Sequence, residues 1–392
     1  MREISVNALN VEGQPMFKVI DKVKLLEAQG KDIIHLEIGD PDFGTPRNIV
    51  DATKKSLDRG ETHYVSSWGM PDFLEVIREA TKSSRGFTPD ENQVLVIPGA
   101  NIGIFYAIFC LSNPGQEVLV PDPGFPTYLS AIKMCGAVPI PFPLHEKNAF
   151  RMRAEDIEPL ITDKTRLLII NSPQNPTGAI TEPWALKEIY ELAVKYDLYV
   201  YSDEIYARMV YGDQDFFSIA SLDHCKERVI LSNGFSKAFA MTGWRLGTLV
   251  MPPIVAERMM MLLQTTSSCV APFLQRAGIE AVRGDQSSVN EMMSEYKSRR
   301  DFLVNGLNGI PGIQCHMPGG AFYAFPNISS FGMSSDDFAN YMLENAGIAI
   351  LPGSCFGKNG EGFVRIVYAS SREKIKEALS RLEDACKKLR EN

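Results

Sequence analysis

The sequence has 392 residues, of which 45% are hydrophobic and 22% charged, and its formal net charge is -8. The length favours two domains, and the acidic balance argues against a nucleic-acid-binding surface. No apolar run approaches the roughly 18 residues that a membrane span needs, and the N-terminus lacks the apolar segment of a signal peptide, so we expect a cytoplasmic protein. Seven scattered cysteines and five histidines without metal-ligand spacing predict reduced thiols and no metal site.

The middle of the chain alternates short apolar runs with longer amphipathic ones. Continuous apolar strands separated by helices predict a mostly parallel sheet of seven strands with helices on both faces, an α/β fold. The predicted strands are Val94–Ile97, Val118–Val120, Val138–Phe142, Leu167–Ile170, Leu198–Tyr201, Val229–Leu231 and Leu246–Met251. The predicted helices between them cover 101–111, 126–134, 182–195 and 253–266.

The end of the chain has a different pattern. A long helix is predicted over 286–308, and further helices over 335–346 and 372–390. Short strands are predicted at Ile313–His316, Ala321–Phe325 and Phe363–Tyr368. This mixture predicts a second, smaller α+β domain.

One lysine stands out in the segment Ser232–Gly247. Lys237 follows an apolar strand in a turn of small residues, and Arg245 comes eight residues later. A strand end is rigid and small neighbours such as Ser236 admit a flat cofactor, which is what a Schiff-base lysine needs. The arginine could hold a phosphate with its fork of N–H donors. A solvated lysine in a surface loop is the alternative.

The whole segment resembles the cofactor-attachment signature of class I aminotransferases, which use pyridoxal 5′-phosphate (PLP). The resemblance extends from Gly39 to Arg365, with the family's motifs in order. It implies a PLP enzyme in which Lys237 holds the cofactor covalently and shuttles the proton during catalysis. It also implies an N-terminal arm and part of the small domain in 1–45, a large PLP-binding domain in 46–285 and a small domain in 286–392.

The resemblance gives roles to three residues that follow the strand Leu198–Tyr201. Asp203 would keep the pyridine nitrogen protonated, so that the ring can act as an electron sink. Tyr206 would donate to the ring oxygen, and Ile205 would pack on the ring face. The carboxyl ends of parallel strands are where open α/β sheets bind ligands. A helix N-cap is the alternative for Asp203.

Other motifs would complete the cofactor site. The phosphate would be bound at a helix start by Gly99, Ala100 and Asn101, with Ser236 and Arg245 closing the cup. Phe125 would stack on the pyridine ring, although an ordinary core aromatic is the alternative. Asn175, in the turn-rich loop Asn171–Gly178, would donate to the ring oxygen and to the substrate carboxylate. Tyr64 matches a tyrosine that reaches the phosphate in the partner subunit, which implies a homodimer with shared sites.

The substrate carboxylate would be bound by Arg365, because an arginine inside the apolar strand Phe363–Val367 is costly unless an anion pairs with it. Gly39 matches a glycine whose backbone faces that carboxylate. Asn175 is expected to contribute as well.

The substrate side chain is inferred from apolar residues. Met16 and Phe17 lie where some relatives use hydroxyl groups, and Ala100 replaces a lysine that aspartate-specific relatives can carry. We therefore expect transamination of a neutral L-α-amino acid, aliphatic or aromatic, for example alanine, with 2-oxoglutarate. Lys18 and Arg208 are candidates for the cation that the second carboxylate of 2-oxoglutarate needs. The alternatives are an aspartate aminotransferase, or a PLP-dependent lyase, decarboxylase or oxidase on the same scaffold.

Overall fold

The structure is a computed structural model that describes residues 4–391 apart from 10, 12, 14 and 213–215. Its strands, in chain order, are β1 Ile34–His35, β2 Val94–Ile97, β3 Glu117–Asp122, β4 Val138–Pro143, β5 Thr165–Asn171, β6 Tyr199–Asp203, β7 Val229–Gly234, β8 Gly247–Val250, β9 Tyr323–Ala324, β10 Ile348–Ala349, β11 Leu351–Pro352 and β12 Val364–Val367. No helix among the described residues is long and apolar enough to cross a membrane.

Thirteen α-helices are found among the described residues. They are α1 Val6–Leu9, α2 Met16–Ala28, α3 Arg47–Asp58, α4 Pro71–Arg85, α5 Ala100–Leu111, α6 Thr127–Met134, α7 Ala154–Ile157, α8 Pro183–Lys195, α9 Pro253–Ser267, α10 Pro272–Arg283, α11 Ser287–Gly309, α12 Ser335–Tyr341 and α13 Arg372–Glu391. A π-helical turn, Met342–Ala346, continues α12. Each helix predicted above is confirmed to within a few residues.

Seven strands form the central sheet in the order β2-β8-β7-β6-β5-β3-β4. Only β8 runs against its neighbours, so the predicted mostly parallel sheet is confirmed. Alternate residues of β2 enter two separate cores, Val94 and Val96 in one and Leu95 and Ile97 in the other. Because both faces of the central strands are covered, these strands contain runs of consecutive apolar residues, such as Leu167–Ile170 of β5, which is why they were visible in the sequence.

The register of this sheet brings polar residues together at one edge. Asn171 at the end of β5 pairs with Asp203 at the end of β6, which in turn pairs with Ser232 of β7. Gly247, at the start of β8, is paired with both Gly234 and Ile97. The carboxyl ends of the parallel strands therefore meet where the sequence predicts a cofactor.

Two small sheets lie apart from the central sheet. Strands β11, β12 and β9 form an antiparallel sheet, and β1 pairs with β10 in parallel. Residues before 45 thus pair with the C-terminal part of the chain, while the predicted domain boundaries stay predictions.

The predicted strand Ile313–His316 was wrong. Gln314 forms only an isolated bridge with Asn327. The N–H and C=O of Cys315 bond the side chain of Asn308 instead of a neighbouring strand. A side-chain amide that satisfies the backbone in this way removes the need for a β ladder.

Candidate active site

A cavity of about 300 Å³ opens at the carboxyl ends of the parallel strands. It gathers most of the predicted site residues: Gly39, Ala100, Asn101, Phe125, Asn175, Asp203, Ile205, Tyr206, Ser236, Lys237, Arg245 and Arg365. These residues come from segments far apart in the chain, so the fold brings them together.

Lys237 lies in this cavity just beyond β7. Its Nζ donates a hydrogen bond to the carbonyl oxygen of Gly39 at 2.5 Å. Burial lowers the pKa of Lys237 to about 8; Asp40 opposes this shift, while Arg365 and Arg245 add to it. At pH 8 roughly half of the side chain is unprotonated, whereas a lysine with the ordinary pKa would be almost wholly charged. The fold thus prepares a nucleophilic amine.

Asp203 is a buried carboxyl group at the end of β6. Its Oδ2 accepts a hydrogen bond from the Tyr128 hydroxyl at 2.7 Å, and its Oδ1 accepts one from the Ile205 N–H at 3.2 Å. Burial raises the pKa of Asp203 to about 6 in spite of these two donors, which favour the charged form. A cation placed beside this group would favour its ionisation.

A glycine-lined cradle lies at the start of α5. Gly99 precedes the helix at φ +85°, and a Cβ there would overlap the guanidinium of Arg245. A Cβ on Gly247 would lie 2.6 Å from the main-chain nitrogen of Ala100. The first N–H groups of a helix have no partner within the helix and attract anions. This end of the cavity therefore combines helix N–H groups with an arginine.

Arg365, on β12, forms the opposite wall and is only 2% exposed. Its Nη2 donates to the Glu37 carbonyl oxygen at 2.6 Å and its Nη1 to Asn175 Oδ1 at 3.1 Å. Its Nε is buried without a hydrogen-bond partner. Among the described residues no carboxylate forms a salt bridge with this guanidinium. A buried cation held by neutral acceptors is a ready site for an incoming anion.

A profile for aminotransferase class I and II matches residues 31–382. An aspartate aminotransferase from Pyrococcus abyssi is 42% identical over 93% of this chain and 94% of its own length. Aromatic-amino-acid aminotransferase 2 from Thermococcus litoralis is 42% identical over 92% and 93% of the two chains.

The chain belongs to the class I and II aminotransferases. A solved alanine aminotransferase from Pyrococcus furiosus superposes with a TM-score of 0.94 at 33% identity, covering 98% of this chain and all of that one. The family resemblance inferred from the Lys237 segment is thereby confirmed, as are the enzyme class and the PLP cofactor of the family. The three relatives bear three different substrate names, so family membership leaves the side-chain specificity open.

The residues of this aminotransferase cavity fit the cofactor. The aldehyde of PLP requires an amine with a lowered pKa, which Lys237 supplies. Its pyridine nitrogen requires a buried carboxyl group, which Asp203 supplies, and its phosphate requires the anion cradle at the start of α5. The cradle also excludes a side chain at Gly99 and at Gly247. The two glycines thus let the Arg245 guanidinium and the first N–H groups of α5 come close together, which is the combination of donors that a phosphate requires.

Some predicted residues lie elsewhere. Tyr64 is 86% exposed and Phe17 is 56% exposed, and neither lines the cavity of its own chain. Gly99 lies behind Arg245 rather than on the cavity wall. Arg208 lines a different cavity and packs on the ring of Phe239. The roles of these residues stay predictions.

Six residues that line the cavity were not predicted as site residues: Ile38, Ile104, Tyr128, Asn171, Thr242 and Tyr323. Asn171 is the first residue of the predicted loop Asn171–Gly178, and its side chain bonds both the Asp203 carbonyl and the Asn175 N–H. Its place at a strand end could have indicated it. Tyr128 and Tyr323 carry no comparable local signal, because their partners are distant in the sequence.

Proposed function

We propose that this aminotransferase binds the carboxylate of its amino-acid substrate at Arg365. The observation that carries the proposal is the buried guanidinium, which has a partnerless Nε and no carboxylate partner among the described residues. Burying such a charge without an anion is costly, and a bidentate substrate carboxylate would offset that cost. Asn175, bonded to the same guanidinium, would fix its orientation.

The other residues are proposed to serve the cofactor. PLP, when bound, supplies a ring that withdraws electrons from the substrate's α-carbon. Asp203 would hold a proton at the ring nitrogen, and the unprotonated Nζ of Lys237 would take the proton from the α-carbon. Arg245 and the N–H groups of Ala100 and Asn101 would bind the phosphate. Ser236 would support them.

The aromatic and aliphatic residues are proposed to frame the ring. Phe125 would stack on one face, and its own ring is fixed edge-on against Tyr128 with centroids 5.6 Å apart. Ile205 would pack on the other face, and the backbone of Gly39 would face the substrate carboxylate. Tyr206 would donate to the ring oxygen.

We propose a neutral L-α-amino acid, aliphatic or aromatic, as the amino donor and 2-oxoglutarate as the acceptor. Apolar side chains supply much of the described cavity wall: Met16, Ile38, Ile104 and Phe125. Its cations are Lys237, Arg245 and Arg365, which the proposal commits to the cofactor and to the α-carboxylate. A side-chain carboxylate would lack a partner there, at a cost that favours neutral donors.

The test compares kcat/KM for alanine, leucine, phenylalanine and aspartate with 2-oxoglutarate as the common acceptor. We expect a neutral donor to exceed aspartate. A hundredfold advantage for aspartate would overturn the neutral-donor proposal and favour aspartate aminotransferase, the activity named for the relative from Pyrococcus abyssi. An Arg365→Gln variant should lose activity on all four donors alike, because they share the α-carboxylate.

We also propose a homodimer in which Tyr64 completes the phosphate site of the partner. Its side chain is 86% exposed and does not line the cavity of its own chain, which supports a role between subunits. Mixed dimers of Tyr64→Phe and Lys237→Ala subunits should regain activity, because one of their two sites carries neither lesion. Mixed dimers that reach no more than half the activity of the Tyr64→Phe parent, at the same PLP concentration, would instead indicate that Tyr64 acts within its own subunit.

A further inference from the structure

Tyr323 is a fully buried residue of β9 that no sequence motif indicated. Its hydroxyl lies 2.6 Å from the hydroxyl of Tyr206. Its ring centroid lies 4.7 Å from the guanidinium carbon of Arg365. One side chain therefore contacts the residue proposed to face the cofactor and the residue proposed to face the substrate.

The ring contact fixes the Arg365 guanidinium. Phe356 packs on the same guanidinium, with its ring centroid 4.9 Å from the central carbon, so that two aromatic rings flank the cation. The remaining contacts are single hydrogen bonds to Asn175 and to the Glu37 carbonyl. Aromatic faces attract a guanidinium most strongly where water is excluded. The ring of Tyr323 thus helps to set the plane in which Arg365 presents its N–H groups.

The hydroxyl contact fixes Tyr206. The two rings meet edge to face, with centroids 5.6 Å apart, and burial raises the pKa of both phenols, so each keeps its proton. When Tyr323 donates to the Tyr206 oxygen, the proton of Tyr206 is free to point at another acceptor in the cavity. The main chain holds Tyr323 in place, because a Cβ on Gly39 would overlap its hydroxyl.

We propose that Tyr323 is a positioning residue that acts on both halves of the site. Its ring face orients Arg365 toward the substrate carboxylate, and its hydroxyl orients Tyr206 toward the cofactor's ring oxygen. The inference rests on the proposed function, since it takes the roles of Arg365 and Tyr206 from there. Two separable contacts on one side chain predict two separable defects.

The experiment uses the PLP-loaded enzyme and two readouts that need no turnover. The first is the dissociation constant of propionate, an unreactive carboxylate, measured by calorimetry. The second is the pH midpoint of the visible absorbance of bound PLP. Tyr323→Phe keeps the ring and should leave propionate binding within twofold of wild type. It should raise the midpoint by about half a pH unit, because Tyr206 becomes a weaker donor to the ring oxygen. Tyr323→Leu removes the ring and should weaken propionate binding at least about fivefold.

The matched control is Tyr368→Phe, which also deletes a buried hydroxyl, one that donates to the Ala321 carbonyl at 3.1 Å away from the cavity. It should move neither readout. Combining Tyr206→Phe with Tyr323→Phe should shift the midpoint no further than Tyr206→Phe alone, since both changes act through one hydrogen bond.

Each contact can be overturned separately. A wild-type midpoint in Tyr323→Phe, with a shifted midpoint in Tyr206→Phe, would show that the hydroxyl does not orient Tyr206. If Tyr323→Leu bound propionate as tightly as wild type while Arg365→Gln bound it more weakly, the ring of Tyr323 would not orient Arg365. Propionate binding that is unchanged in Arg365→Gln would instead overturn the carboxylate site of the proposed function, and this inference with it.

Discussion

Replacing Asp203 by asparagine in the cofactor-free enzyme should stabilise the fold at neutral pH. Burial raises the pKa of this carboxyl group from 3.8 to about 6. Between these values the native state holds a proton that the unfolded chain has released. The stability that the group contributes is therefore complete below pH 3.8 and is lost as the pH rises through 6.

The size of the effect follows from the pKa values. At about 1.36 kcal/mol per unit of pKa, the increase corresponds to about 3 kcal/mol above pH 7, and to about half of that at pH 5. Asparagine keeps an oxygen for the Tyr128 hydroxyl and carries no charge to desolvate. For 392 residues the entropy of unfolding is about 0.8 kcal/mol per kelvin, so the expected gain in Tm is about 4 °C at pH 8 and about 2 °C at pH 5.

The assay is thermal unfolding of the cofactor-free wild type and variant at pH 5 and pH 8, with Asp58→Asn, an exposed position on α3, as the control. With PLP bound, the variant should instead have a lower Tm than wild type. The ring nitrogen loses its anionic partner in the variant, so the variant releases PLP more readily. An equal gain at both pH values, or a loss at pH 8, would refute the argument that burial raises the pKa of Asp203.

Three other results are expected. Gly99→Ala should weaken PLP binding at least about tenfold, because its Cβ would overlap the Arg245 guanidinium and displace it from the proposed phosphate site. Gly60→Ala, also at positive φ but with open space around it, should cost only stability, and equal PLP affinities in the two variants would contradict this. Lys237→Ala should fold normally, abolish turnover and remove the visible absorbance of covalently bound PLP; near-normal turnover would exclude Lys237 as the attachment site. In the cofactor-free enzyme, the pKa of Lys237, measured by pH-dependent labelling, should rise in Arg365→Gln, which removes a nearby positive charge. It should fall in Asp40→Asn, which removes a nearby negative charge, and shifts in the opposite directions would contradict these charge effects.

The sequence predicted the central sheet because parallel strands covered on both faces contain consecutive apolar residues, such as Leu167–Ile170 of β5. It also predicted the residues at the ends of those strands, since chemistry-bearing residues there are adjacent in the sequence to a recognisable strand. Lys237 and Asp203 were found in this way. The edge of the sheet at which they meet follows from the parallel order alone.

The contacts between distant segments could not be predicted. Tyr128 bonds Asp203 across 75 positions, and Tyr323 bonds Tyr206 across 117, and no periodicity reports such pairs. For the adjacent residues Met16 and Phe17, too, the sequence could not predict which side chain lines the cavity. Successive residues on a helix point about 100° apart, so one lines the cavity and the other is exposed, and the sequence alone does not say which.

The positive charges in the cavity restrict how many anionic groups the cofactor and substrate together can carry. Arg245 and Arg365 stand at different parts of one cavity, and neither forms a salt bridge with a carboxylate among the described residues. Each arginine is therefore available to bind one anion. The PLP phosphate and the substrate's α-carboxylate are two anions, so together they would occupy both arginines. A dicarboxylic substrate brings a third anion, for which this chain's described cavity wall has no cation left except Lys237, the lysine proposed to lose its proton. Either the enzyme prefers substrates with neutral side chains, or a group from a second subunit binds the third anion. The specificity for the substrate side chain therefore depends on whether a second subunit contributes to the site.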